Sequence, residues 1–375
     1  MITSDPMRVL PIAVLALLGV SSGHAATTDF YIVDVGHGNA AFVVSPSGET
    51  MLLDAGPAPA AARLVAFMEQ NGIKKVDYLV VSHFEDDHMG AAPAMSEKVP
   101  ILNWVDHGDS VTYGKNDEWW KRHRAPWFRE NMSKMDDARY DKFRAARAKG
   151  NHIVVKPGDR IPVKGVDAIV LSGLGKVISS PLKAKGAGAP NPACSAVETR
   201  SEDDAEDGQS VGVVIGAGKF RFVYLGDMTW NTSKSLFCPN NLVGTVDAYL
   251  ITHHAQAMPK EMGDYYYGLS CCSLAEVRGL HPRVAILSMG AQGHKQGTSA
   301  AIEVVESSPG LEGVWQTEKI VAGGEAGHNA PDDQIANIGG PRSEKVPFIK
   351  LSAEADGWFS VTNSRNGLTK NYPAK

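Results

Sequence analysis

The sequence contains few cysteines, and their spacing does not match a structural zinc site. Four cysteines occur in 375 residues, and none are arranged as C-x-x-C. Because that spacing is typical of zinc knuckles, this class of site is not predicted. Cys194 and Cys238 each lie in a Pro/Asn-rich loop and are candidates for a disulfide in an oxidising compartment. The adjacent Cys271 and Cys272 are either buried thiols or a vicinal pair.

A strong charge of either sign is also missing. The formal net charge is -5, so the chain has no global basic signature. If the substrate is a polyanion, its attraction must be local or supplied by a metal ion. The content of 43% hydrophobic and 21% charged residues is ordinary for a globular protein. The length allows one large domain or two small ones.

The N-terminal apolar segment is too short to span a membrane comfortably, because it covers only residues 9–20. Arg8 precedes it, and small residues follow, with predicted cleavage after Ala25 or Ala26. The sequence therefore predicts a signal peptide at 1–26, no stable membrane span after cleavage, and a periplasmic or secreted bacterial protein. An uncleaved N-terminal anchor is the alternative.

A dense group of potential metal ligands follows an apolar strand predicted at residues 76–81. Two imidazoles and three carboxylates lie within six residues: His83, Glu85, Asp86, Asp87 and His88. A turn between a strand and a helix is where α/β proteins place their chemistry. Histidine nitrogen and carboxylate oxygen together suit zinc or a similar divalent ion. The alternative interpretation is a solvated charged loop.

Further candidate ligands end two strands in the second half of the chain. The strand predicted at 220–225 is followed by Asp227, and the strand at 246–251 is followed by His253 and His254. A strand-end Gly-Asp or a histidine pair is weak evidence alone. Three strand ends with matching chemistry predict one shared site.

The order of predicted elements favours an α/β fold. Three strands, a helix at 58–71 and the strand at 76–81 indicate a sheet that starts antiparallel. Exposed helices are predicted at about 113–149, as an insertion beside the site. Residues from about 173 to 207 are predicted to form a long loop, and a β-hairpin is predicted near the C-terminus.

Aromatic and basic residues are interleaved in the 113–149 insertion. The aromatic residues are Trp119, Trp120, Trp127 and Phe128, and the basic residues are Lys121, Arg122, Arg124, Arg129 and Lys134. The aromatic side chains either pack the insertion onto the sheet or form a wall that stacks substrate. The basic residues suit a single-stranded polyanion or, alternatively, form a solvated helix face.

The chain resembles the metallo-β-lactamase-fold hydrolases, in the branch that includes the hydrolase domain of ComEC-type DNA-uptake proteins. The matching segments, in the family's order, are VDVGHGNA at 33–40, LDAG at 53–56, SHFEDDHMG at 82–90, LGD at 225–227 and ITHHA at 251–255. As a set they are specific, although each alone is not.

The resemblance implies an αββα sandwich, of class α/β (α+β), with the metal site at one edge of its two sheets. It implies a hydrolase domain at 27–320 that contains the helical insertion and the long loop. Residues 321–375 are then a C-terminal extension with the β-hairpin.

The resemblance also implies roles for particular residues. The predicted metal ligands are His83, Glu85, Asp87, His88, Asp227, His254 and His253. Asp227 matches the acid that bridges two metal positions, and His254 is favoured over His253 as the final ligand. The predicted catalytic residues are Asp87, Asp227 and His253, with Asp86 an alternative proton acceptor. Asp34 and Asp54 are expected to hold ligands or to be structural turn acids.

One departure from the family pattern concerns the first metal position. The fold often supplies a histidine just before the hairpin that leads to Gly-Asp, but residues 206–210 contain none. His83, Glu85 and Asp227 are then the available ligands, so one tightly bound ion and one weak or absent ion are predicted. His107 and His152 are candidates to fill the gap; the alternative for both is an ordinary hydrogen-bonded histidine.

The function that this resemblance implies is metal-dependent hydrolysis by an activated water molecule. The expected cofactor is zinc, as one or two ions, with manganese or iron as alternatives. The expected substrate is a small-molecule or nucleic-acid phosphodiester, or a related ester. A lactam or lactone hydrolase on the same core and a non-catalytic metal-stabilised binding module are the alternatives. The oligomeric state is not predicted.

Overall fold

The computed structural model describes Met1 and residues 27–124, 129–290, 297–321, 328–339 and 345–375. The predicted signal peptide, together with Trp127 and Phe128 of the insertion, lies outside the described residues. No helix within the described ranges has the length and hydropathy needed to cross a membrane.

Nineteen strands and nine α-helices make up the regular structure of the described residues. The strands are β1 Thr28–Val33, β2 Ala41–Val44, β3 Thr50–Leu53, β4 Val76–Val80, β5 Ile101–Asp106, β6 Asn151–Val154, β7 Arg160–Ile161, β8 Asp167–Val170, β9 Ser172–Gly173, β10 Lys176–Val177, β11 Val213–Ala217, β12 Phe220–Tyr224, β13 Ala248–Leu250, β14 Val284–Leu287, β15 Gly313–Glu318, β16 Ile335–Asn337, β17 Phe348–Ala353, β18 Phe359–Asn363 and β19 Thr369–Tyr372. The helices are α1 Ala61–Gln70, α2 Asp86–Met89, α3 Ala92–Ser96, α4 Asp117–His123, α5 Met132–Arg147, α6 Trp230–Phe237, α7 Asp264–Leu269, α8 Leu274–Leu280 and α9 Ser299–Glu306.

Two large sheets contain most of these strands. The first sheet has the order β19-β18-β17-β1-β2-β3-β4-β5-β6, and the second has the order β16-β15-β14-β13-β12-β11-β8-β7. In the first sheet β1, β2 and β3 are antiparallel, and β3 to β6 are parallel. In the second sheet β12 to β16 are parallel. Each sheet therefore has parallel strands whose carboxyl ends share one edge.

The two sheets pack face to face, with helices on both outer faces. Alternation along the strands creates these layers, since successive side chains point to opposite faces of a sheet. In β1, Phe30 and Ile32 enter the core between the sheets, while Val33 packs in the core under α1, α3 and α5. Helices α6, α8 and α9 cover the second sheet. The predicted αββα sandwich is confirmed.

The C-terminal strands belong to the first sheet. β17 pairs antiparallel with β1, from Thr28 opposite Ala353 to Val33 opposite Phe348. β18 and β19 extend the same sheet outward. The predicted β-hairpin is present, and it extends the sheet that contains β1. The predicted domain boundaries stay a prediction.

The predicted long loop contains more structure than its composition indicates. It includes the short β9–β10 hairpin, and Cys194 forms a disulfide with Cys238. Cys271 and Cys272 are bonded to each other. The Gly, Pro and Ser content of this segment predicted a loop. It gave no indication of the contacts that order the segment, because these contacts are made with distant parts of the chain.

Phe30 tests the packing between the sheets. Its fully buried ring stacks on Phe222 with centroids 4.8 Å apart. We expect Phe30→Ala to lower the free energy of unfolding by about 3–5 kcal/mol, since it leaves a cavity in the core. Leu102→Ala is the control, because Leu102 is 43% exposed and should cost about 0.5 kcal/mol or less. Denaturant unfolding measures both variants, and equal losses would contradict this account of the core.

Candidate metal centre

Strand ends from both sheets meet at one edge of the sandwich. β4 is followed by the turn that carries His83 and by α2, which carries Asp87 and His88. β12 is followed by Asp227, and β13 by the turn with His254. Since the carboxyl ends of parallel strands share an edge, residues far apart in sequence become neighbours there. Their side chains are nearly all buried.

A central cluster consists of His37, Asp87, His88, Asp227 and His254. The Nε2 of His88 lies 3.2 Å from Asp227 Oδ2 and 3.3 Å from the Nε2 of His254. The Nε2 of His254 lies 3.4 Å from Asp227 Oδ2 and 3.6 Å from Asp87 Oδ2. The Nε2 of His37 lies 2.7 Å from Asp87 Oδ2. Imidazole and carboxylate groups thus converge on one small volume.

Three histidines of the site, His88, His253 and His254, are each oriented by a hydrogen bond from Nδ1. Nδ1 of His88 donates to Asp54 Oδ2 at 2.5 Å. Nδ1 of His254 donates to the carbonyl oxygen of Ser288 at 3.0 Å, and Nδ1 of His253 to that of Leu269 at 2.8 Å. In a neutral imidazole the other nitrogen then carries the lone pair. These bonds therefore direct the Nε2 atoms of the three rings toward Asp227.

His83 is oriented through Ser82. The hydroxyl of Ser82 donates to Asp54 Oδ2 at 2.7 Å, so its oxygen accepts from Nδ1 of His83 at 3.0 Å. The Nε2 of His83 then faces Asp207, whose Oδ1 is 3.5 Å away.

Close backbone packing places the His37 turn against Asp87. The amide of Asn39 donates to the carbonyl of Asp87 at 3.2 Å. A Cβ on Gly38, which has φ +117°, would lie 2.2 Å from that carbonyl oxygen, so only glycine fits there. Asp34 accepts from the amide of Gly36 at 3.0 Å and so holds the same turn.

An acidic cluster lies beside the central one and consists of His83, Glu85 and Asp207. One ligand atom from each of the three residues falls within 4.8 Å of the others. The guanidinium of Arg124 contacts Glu85, and its Nη2 lies 4.0 Å from Asp207 Oδ1. The helical insertion therefore reaches the site, which the sequence did not establish.

Two buried atoms of the site have no hydrogen-bond partner among the described residues. They are Nε2 of His83 and Oδ1 of Asp227. Buried polar atoms are nearly always paired, so each such atom needs an explanation. For Asp227, a member of the central cluster, a cation that accepts the lone pair supplies one, and His/Asp donor sets are suited to zinc, manganese and iron. The residues present therefore fit a metal ion.

The protonation equilibria of the site are strongly perturbed. Burial lowers the pKa of His83 well below its usual value, which keeps the imidazole neutral. Burial alone would raise the pKa of Asp227, but His88, His254 and His253 hold it well below its usual value. Burial raises the pKa of Asp207 to about 7. Burial alone would lower the pKa values of His88 and His254, but Asp227 raises both above the usual value, so a metal ion that binds their Nε2 atoms displaces protons.

Backbone strain is concentrated at this edge of the sheets. His253, His254 and Ala255 are consecutive residues with φ values of 47°, 51° and 59°, and Asp54 has φ 53°. Left-handed conformations of non-glycine residues cost free energy and cluster at functional sites. Buried Glu276 supports the strained turn by accepting from Thr252 Oγ1 at 2.7 Å.

The two histidines proposed to complete the first metal position have other partners. His107 lies 3.2 Å from Glu206 Oε2, and His152 lies 2.8 Å from Asp106 Oδ1. The acidic residue Asp207 approaches His83 instead. Asp207 was not predicted as a site residue, because the family pattern has a histidine at 206–210. A carboxylate is an equally suitable ligand.

The remaining residues named in the sequence analysis lie at different distances from the metal centre. His37 lies in the VDVGHGNA segment that carries the resemblance but was given no role there, and the structure places it beside Asp87. Asp86 lies near Arg139, with Oδ1 and Nε 3.6 Å apart. Trp119 and Trp120 are buried in a small cluster with Ala205, which favours packing over a substrate wall for these two.

One family model matches the part of the chain that carries some of the site residues. Residues 33–187 match the family described as the Metallo-beta-lactamase superfamily. This segment contains His83, Asp87 and His88 but ends before Asp227. No curated protein matches the chain.

Several solved structures are similar to the chain. CmlA, a diiron beta-hydroxylase from Streptomyces venezuelae, matches at 12% identity and TM-score 0.42, over 74% of this chain and 49% of CmlA. A diphosphatase from the PhnP family matches at 13% identity and TM-score 0.37, over 83% and 94%. MEM-A1, a subclass B3 metallo-beta-lactamase from a soil metagenome library, matches at 12% identity and TM-score 0.36, over 71% and 78%. The chain spans about half the length of CmlA.

Asp54 tests how the ligands are held. Asp54→Asn replaces an oxygen that accepts from Ser82 and His88. We expect the dissociation constant for Zn²⁺ to rise by about 10–100-fold, the usual effect of losing a residue that orients a ligand. Calorimetric titration of the metal-free protein measures this.

Asp106→Asn is the matched control. Asp106 is another buried strand-end acid, and it accepts from His152 and Arg147 outside the two clusters. It should lower stability without changing Zn²⁺ affinity. Equal Zn²⁺ affinities for the Asp54 variant and the unmodified protein would refute the orienting role.

Proposed function

We propose that this chain, whose residues 33–187 match the metallo-β-lactamase superfamily, is an exported metal-dependent hydrolase that acts on a phosphodiester or a related ester. The observation that carries the proposal is the convergence of Nε2 atoms and carboxylates at the central cluster. We further propose that the chain belongs to the ComEC-like branch. The Gly-rich turn at 36–39 supports this, because it packs against Asp87.

The proposed metal ligands are Asp87, His88, Asp227 and His254. When bound there, a divalent ion lowers the pKa of a water molecule toward ~7 and polarises the substrate. Zinc is the first candidate, and manganese or iron is the alternative. The carboxylate content favours harder ions than a site of three histidines does.

The chain's own residues provide proton transfer. The Nε2 of His253 lies 3.6 Å from Asp227 Oδ2 and carries a lone pair, because Nδ1 donates to Leu269. It can accept a proton from the attacking water and return it to the leaving oxygen. The water oxygen bonds to phosphorus, the ester P–O bond breaks, and the proton ends on the leaving group. Asp227 and Asp87 orient the water.

A phosphodiester is favoured over a lactam by the charges around the site. A phosphodiester brings a negative charge toward several carboxylates, so binding needs local positive charge. The metal ion supplies part of it, and Arg124 lies at the adjacent acidic cluster. The reacting amide of a lactam is uncharged, whereas the reacting phosphoryl group of a phosphodiester is an anion that a nearby guanidinium would favour. Lactam hydrolysis remains the alternative on the same core.

The proposed compartment is the periplasm or the exterior of a bacterial cell. The disulfide between Cys194 and Cys238 supports this, because such bonds persist in oxidising compartments. The division into a signal peptide at 1–26, a hydrolase domain at 27–320 and an extension at 321–375 is part of the proposal. The proposal also includes a phosphodiester substrate and the absence of a stable membrane span after cleavage of the signal peptide.

Metal content and turnover test the proposed activity together. The purified protein should contain zinc, manganese or iron by elemental analysis and should cleave bis-p-nitrophenyl phosphate or single-stranded DNA faster than nitrocefin. Asp227→Ala should lose bound metal and lower kcat/KM by at least about 100-fold, since a direct ligand matters more than a residue that orients one.

Asp109→Ala is the control, because the side chain of Asp109 is 96% exposed. It should retain metal and activity. Preferential cleavage of nitrocefin would favour the lactamase alternative. Bound metal without turnover of any of the three substrates, with Asp227→Ala changing only thermal stability, would favour a non-catalytic binding module.

A further inference from the structure

Arg124 is a cation placed among potential metal ligands. It follows the last turn of α4, and its amide donates to the carbonyl of Trp120 at 2.8 Å. Its guanidinium is buried and contacts Glu85, and Nη1 donates to Tyr265 Oη at 3.4 Å. Its donors are therefore directed at the acidic cluster rather than at solvent.

The position of Arg124 is fixed by its surroundings. The neighbouring His123 bonds through Nε2 to Asp204 Oδ1 at 2.6 Å, and its ring stacks on Trp119 at 3.7 Å. Tyr265 in turn donates to Asp203 Oδ1 at 2.8 Å. These contacts tie the end of α4 to the segment that carries Asp207, so the guanidinium is held at the cluster.

We propose that the guanidinium of Arg124 takes the place of a second metal ion at the acidic cluster, so that the chain works with a single ion in the central cluster. The inference rests on the proposed function, because it concerns the same metal-dependent site. It assigns Glu85 and Asp207 to Arg124 rather than to a metal.

Arg124 and a second metal ion would compete for the same carboxylate oxygens, and this competition is the physical reason for expecting a single ion. A divalent ion at Glu85 and Asp207 would meet a positive charge in a buried environment, where repulsion is strong. Histidine or cysteine ligands make room for a metal by losing a proton, whereas arginine stays protonated in proteins. An ion could enter only by displacing the whole side chain from its contacts.

The central cluster is separated from this cation. Within the described residues, no ion pair links Arg124 to Asp87 or Asp227, while Asp227 pairs with His88, His253 and His254. A single ion in the central cluster therefore keeps its ligands. The guanidinium then supplies a fixed positive charge beside it, which suits an anionic ester.

The metal content of Arg124→Gln tests the inference. Metal-free protein is titrated with Zn²⁺ alone and, separately, with Mn²⁺ alone, followed by dialysis and elemental analysis. We expect about one equivalent per chain in the unmodified protein and about two in the variant, because removing the cation frees Glu85 and Asp207 to ligate.

Arg139→Gln is the matched control. It removes another insertion arginine, one that lies near Asp86 and outside both clusters, and it should retain the metal content of the unmodified protein. A second equivalent in this control, or two equivalents already in the unmodified protein, would overturn the inference and leave the hydrolase proposal intact. No bound metal in the unmodified protein would overturn both.

Glu85→Gln decides the case if Arg124→Gln does not fold. Glu85 is half-buried, so the substitution is milder. If Glu85 pairs with Arg124 and not with a metal, the metal content of this variant should equal that of the unmodified protein. A loss of about one equivalent would show that Glu85 is a ligand and refute the inference.

Discussion

The buried carboxylate of Asp54 is the interaction on which the site depends. It ends β3 in the first sheet and accepts from the amide and hydroxyl of Ser82, from Nδ1 of His88 and from the hydroxyl of Tyr224 in β12. Tyr224 belongs to the second sheet, so one carboxylate joins both sheets and orients the ligands at once. A buried network of this kind is stable only when each member is satisfied.

The hydrogen bonds of Asp54 link the fold to the site, because they join the two sheets. Strand ends from two sheets must be held at fixed separation for Asp87, His88, Asp227 and His254 to converge. The sandwich core provides that separation through rings such as Phe30 and Phe222. The strained turn at His253 and His254 persists because buried Glu276 and its partners hold it in place.

Much of the fold could be predicted from the sequence, because strands and helices leave local periodic patterns. The strands at 76–81 and 220–225 and the helix at 58–71 were predicted near the observed β4, β12 and α1. The helices α7 and α8 were missed, since Tyr-rich and Gly-containing segments show no clear helical spacing. The order within 173–207 was missed as well, because it comes from a disulfide and from distant contacts.

The site could be predicted only where its ligands follow a motif. His83, Glu85, Asp87 and His88 lie in one turn, and a pattern identifies them together. Asp207 reaches the site through tertiary packing, which leaves no local signal, and the motif that contains His37 does not mark that residue as a site residue. The role of Arg124 was not predicted for the same reason. Its sequence context indicated only one of several basic residues in an insertion, and nothing in it indicated burial against Glu85.

The insertion and the long loop act as one unit beside the site. Glu206 shows how they are joined, since its buried carboxylate accepts from Ser110 Oγ at 2.6 Å and from the amide of Val111 at 2.8 Å. Its neighbour Asp207 therefore cannot shift without moving the segment after β5. Arg124 also contacts the acidic cluster, so the charge balance of the site depends on elements outside the two sheets.

Anomalous diffraction from crystals of the metal-loaded protein tests the central claim most directly. At the absorption edge of the bound metal, the account predicts a peak within about 2.0–2.3 Å of ligand atoms from Asp87, His88, Asp227 and His254. A metal-loaded crystal whose only peaks lie away from these four residues would contradict it.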